Sequence, residues 1–342
     1  MNRLPKHARF RPGFTLTELL VVVTIIGILA AMVSGALIVA RNSAREAATR
    51  ATIAKLHNII MAKYESYRTR RVPLSDSDIF NVAVSRFGYT GGQPVPPRWV
   101  ALVRLAALRD LMRMEMPERW SDIWDFTNNV PRGAIYLTSN PSLFQAYISR
   151  CSTISGGNYT FLPADSHYPA KCLYLIVTMG GGPDARRQFS EGEIAVDPSD
   201  GFSMFIDGWG RPIHYLRWAP GFNESDLQPN VPPMTVSEAA TQDHDPFDTR
   251  RLDSTAWRLV PLIYSAGRDG EYGLWSNQYD EDRTSATTYY WLTWNQAYSQ
   301  ITDRKYNVSV RMGQPIPLDN AGTLATTHFD NIHNHQTLTE AR

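Results

Sequence analysis

The chain has 342 residues, with 34 Lys and Arg against 33 Asp and Glu, so its formal net charge is +1. This length allows one large domain or two modest ones, each able to bury a core. The balanced charge gives no strongly basic face, which argues against nucleic acid as a partner.

The first predicted element is an apolar helix. Residues 14–40 contain a single charged side chain, Glu18. At about 1.5 Å per residue they form a helix of roughly 40 Å, longer than the apolar thickness of a bilayer, about 30 Å. Residues 1–13 carry four basic side chains and no acid. The pattern therefore predicts a single membrane span with the N-terminus in the cytoplasm and the bulk of the chain outside.

The helix is predicted to continue to residue 71. No Gly or Pro occurs between residues 41 and 71, and apolar side chains recur at steps of three and four, at Ile53, Leu56, Ile60, Tyr64 and Tyr67. Pro73 then stops the helix. This part is amphipathic, so one face is expected to pack against a folded head.

Residues 72–170 are predicted to form an inserted, partly helical subdomain. A turn-rich stretch is followed by a run in which Val100, Val103, Leu108 and Leu111 fit a buried helix. The methionines of this run are interpreted as core residues rather than as metal ligands. Cys151 and Cys172 are the only cysteines, and both follow the predicted span. A disulfide between them fits an oxidising compartment, and two buried thiols are the alternative.

Residues 171–320 are predicted to form an antiparallel β domain, because short β-rich runs alternate with turn signals. The predicted strands are Cys172 to Thr178, Gly201 to Ile206, Ile213 to Trp218, Trp257 to Ser265 and Thr287 to Trp294. Residues 321–342 are interpreted as a polar tail containing three histidines. The predicted fold class is α+β.

The N-terminal motif resembles that of a known family. Gly13 is followed by Phe14 and then by TLTELLVV, with Glu18 as the fifth residue after the glycine. This combination looks like the class III signal of type IV pilins and of the pseudopilins of type II secretion. The resemblance implies that prepilin peptidase cleaves after Gly13 and methylates the new amine of Phe14. Residues 1–13 are then the leader, and a pilin-like fold is expected, with the long helix packed on a C-terminal sheet.

The resemblance also implies a role for Glu18. A carboxylate in an apolar helix is costly unless an opposite charge lies close by. The ammonium group of Phe14 from a neighbouring subunit can supply that charge in a filament. A plain signal anchor with an incidental acid is the alternative. Cleavage removes four of the 34 basic residues and none of the 33 acidic ones, which leaves a net charge of about −3.

Two C-terminal segments are similar to the major pseudopilin of type II secretion: DGWGRPIHYL from Asp207 and PLIYSAGRDGEYG from Pro261. In that family a Ser-x-Gly-x-Asp-Gly loop binds calcium, which prefers six to eight oxygen ligands. The resemblance implies Asp269 as a side-chain ligand and Ala266 as a backbone ligand. Asp280 and Asp282 are the candidates for the remaining acid, and an ordinary Asp-Gly turn is the alternative.

The expected function is therefore that of a structural subunit of a type II secretion pseudopilus. The alternative is a minor type IV pilin whose enlarged head serves adhesion, DNA uptake or filament priming. The resemblance implies as partners prepilin peptidase, other pilin or pseudopilin subunits, an inner-membrane assembly platform and membrane lipid. It places the protein in the bacterial inner membrane and, after assembly, in a periplasmic or surface filament. No enzyme motif occurs in the sequence, so no catalytic activity is expected.

Overall fold

The computed structural model describes residues 15–126, 128–157, 167–231, 233–276, 301–303, 308–316 and 326–336. The chain divides into two compact units, Met1–Arg45 and Glu46–Arg342, and the division falls within the first helix. We refer to Glu46–Arg342 as the head.

The described residues form an α+β fold, which confirms the predicted fold class. The helices are α1 (Leu16–Ser66), α2 (Asp76–Phe87), α3 (Pro97–Glu115), α4 (Ser142–Ser155), α5 (Tyr168–Leu175) and α6 (Val236–Gln242). The strands are β1 (Trp124–Asp125), β2 (Val130–Pro131), β3 (Ile194–Val196), β4 (Ser203–Phe205), β5 (His214–Leu216), β6 (Leu262–Ser265), β7 (Ile301–Asp303), β8 (Val308–Val310) and β9 (Ile332–His333). All pairings between them are antiparallel, and the three-stranded sheet has the order β5-β6-β9.

The first part of helix α1 exposes its apolar side chains. Its large apolar side chains from Leu16 to Val39 are between 46% and 81% exposed. Helix α1 is the one helix of the described residues that is long and apolar enough to cross a membrane. Burying so much apolar surface is worth about 25 cal/mol per Å², so this segment requires lipid or other subunits around it.

The second part of α1 contributes the predicted face to the head core. Ile53, Leu56, Ile60 and Tyr64 are all buried, which confirms the predicted stripe, and Tyr67 is buried just beyond the end of the helix. The hydroxyl of Tyr64 donates to the carbonyl oxygen of Leu259, at 2.5 Å. The core cluster around this face includes residues of β5 and β6, so the helix and the three-stranded sheet share one core.

Residues 72–170, the predicted inserted subdomain, contain three helices. They contribute α2, α3 and α4 to the same compact unit as the sheet, and Leu111 and Met112 of α3 lie in the core cluster that contains the face of α1. Helix α3 begins at Pro97, a residue suited to the first turn because it lacks an amide hydrogen. The predicted helix around Val103 and Leu111 is confirmed, and helix α5 (Tyr168–Leu175) runs across the predicted boundary at residue 170.

Three of the predicted strands are present in shortened form, as β4, β5 and β6. The strand predicted from Cys172 to Thr178 is wrong. These residues form the end of helix α5 and most of a π-helical turn that extends from Ile176 to Gly180. A short continuous apolar run fits a buried helix as well as a buried strand, and here the helix is formed. The strand predicted from Thr287 to Trp294 lies outside the described residues.

The predicted polar tail belongs to the head over residues 326–336. Strand β9 pairs with β6, with Ile332 opposite Ser265. His335 is fully buried, with its Nδ1 atom 2.8 Å from the hydroxyl of Ser225 and its Nε2 atom 3.1 Å from the carbonyl oxygen of Pro261. A carbonyl oxygen can only accept, so Nε2 carries the proton and Nδ1 accepts from Ser225. Burial lowers the pKa of His335 to about 3, which keeps the ring neutral.

Cys151 and Cys172 are reduced in the structure rather than joined in a disulfide. Both lie in a second apolar cluster with Phe144, Tyr147 and Phe202. Of the two alternatives from the sequence, the structure therefore has the buried thiols. Burial raises the pKa of Cys151 to about 12, so its thiolate is scarce at neutral pH.

We expect the folded protein to resist thiol alkylation. Full-length protein in detergent, purified without reductant, should take up no iodoacetamide when folded and two labels per chain once denatured, because both cysteines are buried as thiols. Intact-mass spectrometry measures the labels, and Cys151→Ser is the control with one label. If denatured wild-type protein takes up label only after reduction, the expectation of two thiols is contradicted and the disulfide between Cys151 and Cys172 is supported.

Candidate functional site

Glu18 lies in the first turn of α1 and caps the helix to which it belongs. Its Oε2 atom accepts hydrogen bonds from the amide of Thr15 at 2.9 Å and from the hydroxyl of Thr15 at 2.7 Å. The amide of Glu18 donates to the hydroxyl of Thr15 at 3.3 Å, and the amide of Leu19 donates to the carbonyl oxygen of Thr15 at 3.2 Å. This is a capping box, in which the first and fourth residues of Thr-x-x-Glu satisfy each other's amides.

The capping box was not predicted, although its pattern is present in the sequence. It explains a glutamate at this position in a single chain without reference to a neighbour. Thr15 and Glu18 are both exposed, so the carboxylate remains accessible to another subunit. Gly13 and Phe14, the predicted processing residues, lie outside the described residues.

The polar side chains farther along the apolar part of α1 are satisfied within the helix. The hydroxyl of Thr24 donates to the carbonyl oxygen of Leu20 at 2.7 Å, and that of Ser34 donates to the carbonyl oxygen of Ala30 at 2.8 Å. Such bonds to the carbonyl four residues earlier remove most of the cost of placing a hydroxyl in lipid. From Leu19 to Ala40 the helix contains no charged residue.

In the head, the two segments that resemble the major pseudopilin lie against each other. The hydroxyl of Ser265 donates to Asp207 at 2.6 Å, and the hydroxyl of Tyr272 donates to the carbonyl oxygen of Pro212 at 2.6 Å. A guanidinium nitrogen of Arg211 donates to the carbonyl oxygen of Gly267 at 2.9 Å. The DGWG segment therefore supports the loop from Ser265 to Gly273.

Only two of the four predicted calcium ligands, Ala266 and Asp269, lie in the part of the chain that the structure describes. Of the four predicted ligands, Asp280 and Asp282 lie outside the described residues. The other two already accept backbone hydrogen bonds: the carbonyl oxygen of Ala266 from Gly270 at 3.2 Å, and Asp269 from Glu271 at 2.8 Å. No group of three metal-binding side chains occurs among the described residues.

The loop is also held by a residue that the sequence did not indicate. Asp330 accepts the amides of Arg268 and Asp269 at 2.8 and 2.9 Å. Gly267 has φ +62°, and a Cβ atom there would lie 2.2 Å from the carbonyl oxygen of Asp330, so only glycine fits. Asp330 and Arg211 thus maintain the loop with protein groups, and the described residues provide only part of a calcium shell.

A second Asp-Gly turn contains an internal cation. The ammonium group of Lys171, which is buried, lies 2.8 Å from Asp197 and 2.5 Å from Asp200. Burial would raise the pKa of Asp197, but hydrogen bonds from Lys171 and Ser199 outweigh it and lower the pKa to about 2. Lys171 thus supplies the positive charge that two neighbouring carboxylates in a partly buried turn require.

Helix α3 carries charged side chains into the interior, which its apolar pattern did not reveal. Glu115 binds Arg70 through two hydrogen bonds of 2.6 Å and accepts the hydroxyl of Tyr67 at 2.8 Å. Arg109 lies 2.8 Å from Asp245, and both side chains are buried. Burial raises the pKa of Asp245 to about 6 against the opposing effect of Arg109.

Residues 9–34 match the family described as the prokaryotic N-terminal methylation motif. The chain therefore carries the class III signal of type IV pilins and pseudopilins, and the predicted resemblance is confirmed. The signal supports a membrane-anchored, pilin-like or pseudopilin protein, and it implies processing by prepilin peptidase and assembly with other pilin subunits. No curated protein and no solved structure matches this chain.

Proposed function

We propose that the protein is a structural subunit of a type II secretion pseudopilus. The observation that carries this proposal is the methylation motif at residues 9–34 together with the exposed apolar side chains in the first part of α1. A helix that cannot bury its own apolar side chains requires lipid before assembly and neighbouring subunits after it. The role is structural rather than enzymatic.

The choice of a secretion filament is supported by the head. The two segments that resemble the major pseudopilin, around Asp207 and Ser265, bind each other through side-chain hydrogen bonds. The basic leader supports an N-terminus in the cytoplasm and an exported head. A minor type IV pilin is the second candidate, because α2, α3 and α4 enlarge the head beyond a helix packed on a sheet.

Glu18 has two distinguishable roles in this proposal. In the single chain its carboxylate caps α1 through Thr15. In the filament it would bind the methylated ammonium group of Phe14 from the next subunit, a contact for which charge is required. Glutamine can replace glutamate in a capping box but cannot form an ion pair.

We therefore expect Glu18→Gln and Glu18→Leu to fail alike in filament assembly. Each should be reduced more than about tenfold in the sheared filament fraction, because loss of one partner of a buried ion pair costs about 3–5 kcal/mol. Thr15→Ala keeps the charge, costs about 0.5–2 kcal/mol of capping and should assemble nearly normally. Quantitative blotting of sheared filaments measures all three.

Processing provides the control for this comparison. N-terminal mass spectrometry should find methylated Phe14 in the wild type and in all three variants, so that a defect is one of assembly. Normal assembly of Glu18→Gln beside a defect in Glu18→Leu would assign the glutamate to capping alone. An intact Met1 in wild-type cells with an active peptidase would refute the proposed maturation.

The type of filament can be established by its partners. After cross-linking in cells and affinity purification, we expect the wild-type protein to retain secretion pseudopilins and the ATPase of a secretion system. Gly13→Leu, which should stay uncleaved and outside filaments, provides the background. Retention of pilus subunits and a pilus ATPase instead would support the minor pilin.

We further propose that calcium binds the loop from Ser265 to Gly273. The support is the resemblance, together with Asp269 and the acidic residues at positions 280–282, which follow it in the sequence. In the described residues, Asp269 would supply a carboxylate and Ala266 a carbonyl oxygen. An ion bound only by the folded head would stabilise it.

The melting temperature of full-length protein in detergent should therefore be higher in calcium than in chelator. At about a hundredfold excess of calcium over Kd, the stabilisation is roughly 2.7 kcal/mol. Asp269→Ala should abolish the increase, while Glu271→Ala, an exposed acid of the same loop, should retain it. Magnesium should substitute poorly, because it requires a smaller octahedral shell. Identical wild-type melting curves in calcium and in chelator would contradict calcium binding and support an ordinary Asp-Gly turn.

A further inference from the structure

The head contains a cleft that the filament assignment does not use. Its volume is about 940 Å³, and it is formed by the segment after α1, the first turns of α3 and the loop from Phe247 to Leu252. This volume lies near the upper end of the range of about 300–1,000 Å³ typical of ligand sites in proteins. All of its residues belong to the head, within Glu46–Arg342.

The floor of the cleft is apolar. It includes Val95, Val100, Leu105, Leu108 and Phe247. Leu105 is 7% exposed and Phe247 packs edge-on against Tyr64 of α1, with ring centroids 5.1 Å apart, so these side chains are fixed by the core below. A rigid apolar floor can receive apolar side chains without reorganising.

The rim of the cleft is cationic. Arg71, Arg104 and Arg250 are exposed and line it, and none of the three guanidinium groups forms a hydrogen bond or an ion pair with another described residue. Arg70 also lines the cleft but is neutralised by Glu115 at 2.6 Å. The first turn of α3, at Pro97, adds the positive partial charge of a helix N-terminus.

The single carboxylate among the lining residues, Asp248, offsets only one of these three positive charges. Asp248 is buried, and it accepts the amides of Leu252 and Asp253 at 3.0 and 2.9 Å. The cleft is therefore cationic within a mature chain whose net charge is about −3. Such a local excess attracts acidic ligands while the rest of the molecule repels a long polyanion such as nucleic acid.

We propose that this cleft binds an extended acidic peptide segment of a partner protein, in which acidic and apolar side chains alternate. In an extended segment successive side chains point to opposite sides, so the apolar set can face the floor while the acidic set faces the three arginines. Guanidinium groups suit carboxylates because they bind them through two parallel hydrogen bonds. A concave cleft of this size encloses a segment of chain, whereas a bilayer surface requires an exposed patch.

The test uses full-length protein in detergent and a fluorescein-labelled hexapeptide, Glu-Phe-Glu-Leu-Glu-Phe. We expect saturable binding by fluorescence anisotropy that weakens as salt is raised, because the contacts at the rim are ionic. A peptide with lysine in place of glutamate and one with serine in place of the apolar residues should not bind. Vesicles of phosphatidylglycerol test the membrane as the alternative ligand.

Variants assign the binding to the cleft. Replacing Arg71, Arg104 and Arg250 together by alanine should weaken peptide binding at least about tenfold. Ala101→Trp, which fills the cleft without a change of charge, should weaken it to a similar extent. Arg187→Ala is the matched control, since that arginine is 82% exposed and lies outside the cleft. Thermal melting curves verify that each variant is folded.

Three outcomes would overturn the proposal. The first is a wild type that shows no saturable binding, and the second is a triple variant that binds the hexapeptide as tightly as the wild type does. In the third, the wild type binds the vesicles but not the hexapeptide, and the triple variant does not bind the vesicles. This result would show that the three arginines bind lipid. None of these outcomes depends on filament assembly, so the proposed function is tested separately.

Discussion

The buried face of helix α1 is the constraint on which the head depends. Leu56 and Ile60 are completely buried, and Tyr64 reaches the carbonyl oxygen of Leu259 through its hydroxyl. On either side of this face, hydrogen bonds attach the helix to the rest of the head. Thr52 and Lys55 donate to Glu193 at 2.6 and 2.9 Å. Burial would raise the pKa of Glu193, but these bonds lower it to about 2, so the carboxylate stays charged.

Buried ion pairs are the second constraint on the structure of the head. The guanidinium group of Arg217 is completely buried and lies 3.2 Å from Asp122. Burial would raise the pKa of Asp122, but Arg217, Arg119 and Arg113 outweigh it and lower the pKa. Pairs of this kind contribute little net stability, yet losing either partner leaves an uncompensated charge. They therefore restrict the substitutions and the packing arrangements that the core can accept.

The sequence alone predicts those structural features that depend on residues close together along the chain. The face of α1 follows from apolar residues at steps of three and four, and the capping box of Thr15 and Glu18 could have been recognised from its spacing. The strand predicted at Cys172 failed because an apolar run of that length does not distinguish strand from helix. The role of Asp330 in holding the loop could not be predicted from the sequence, because the amides that it binds are 61 and 62 residues away.

The pairing of β9 with the sheet has a consequence for the order in which the chain can fold. Asn334 donates to the imidazole of His57, a contact that joins residues 277 apart in the sequence. Helix α1 is therefore synthesised long before β9, whose Ile332 belongs to the core cluster around the apolar stripe of α1. Contacts of such long range slow folding because the loop between them must close first. During synthesis the three-stranded sheet of the head therefore stays incomplete until β9, the last strand of the described residues, has been made.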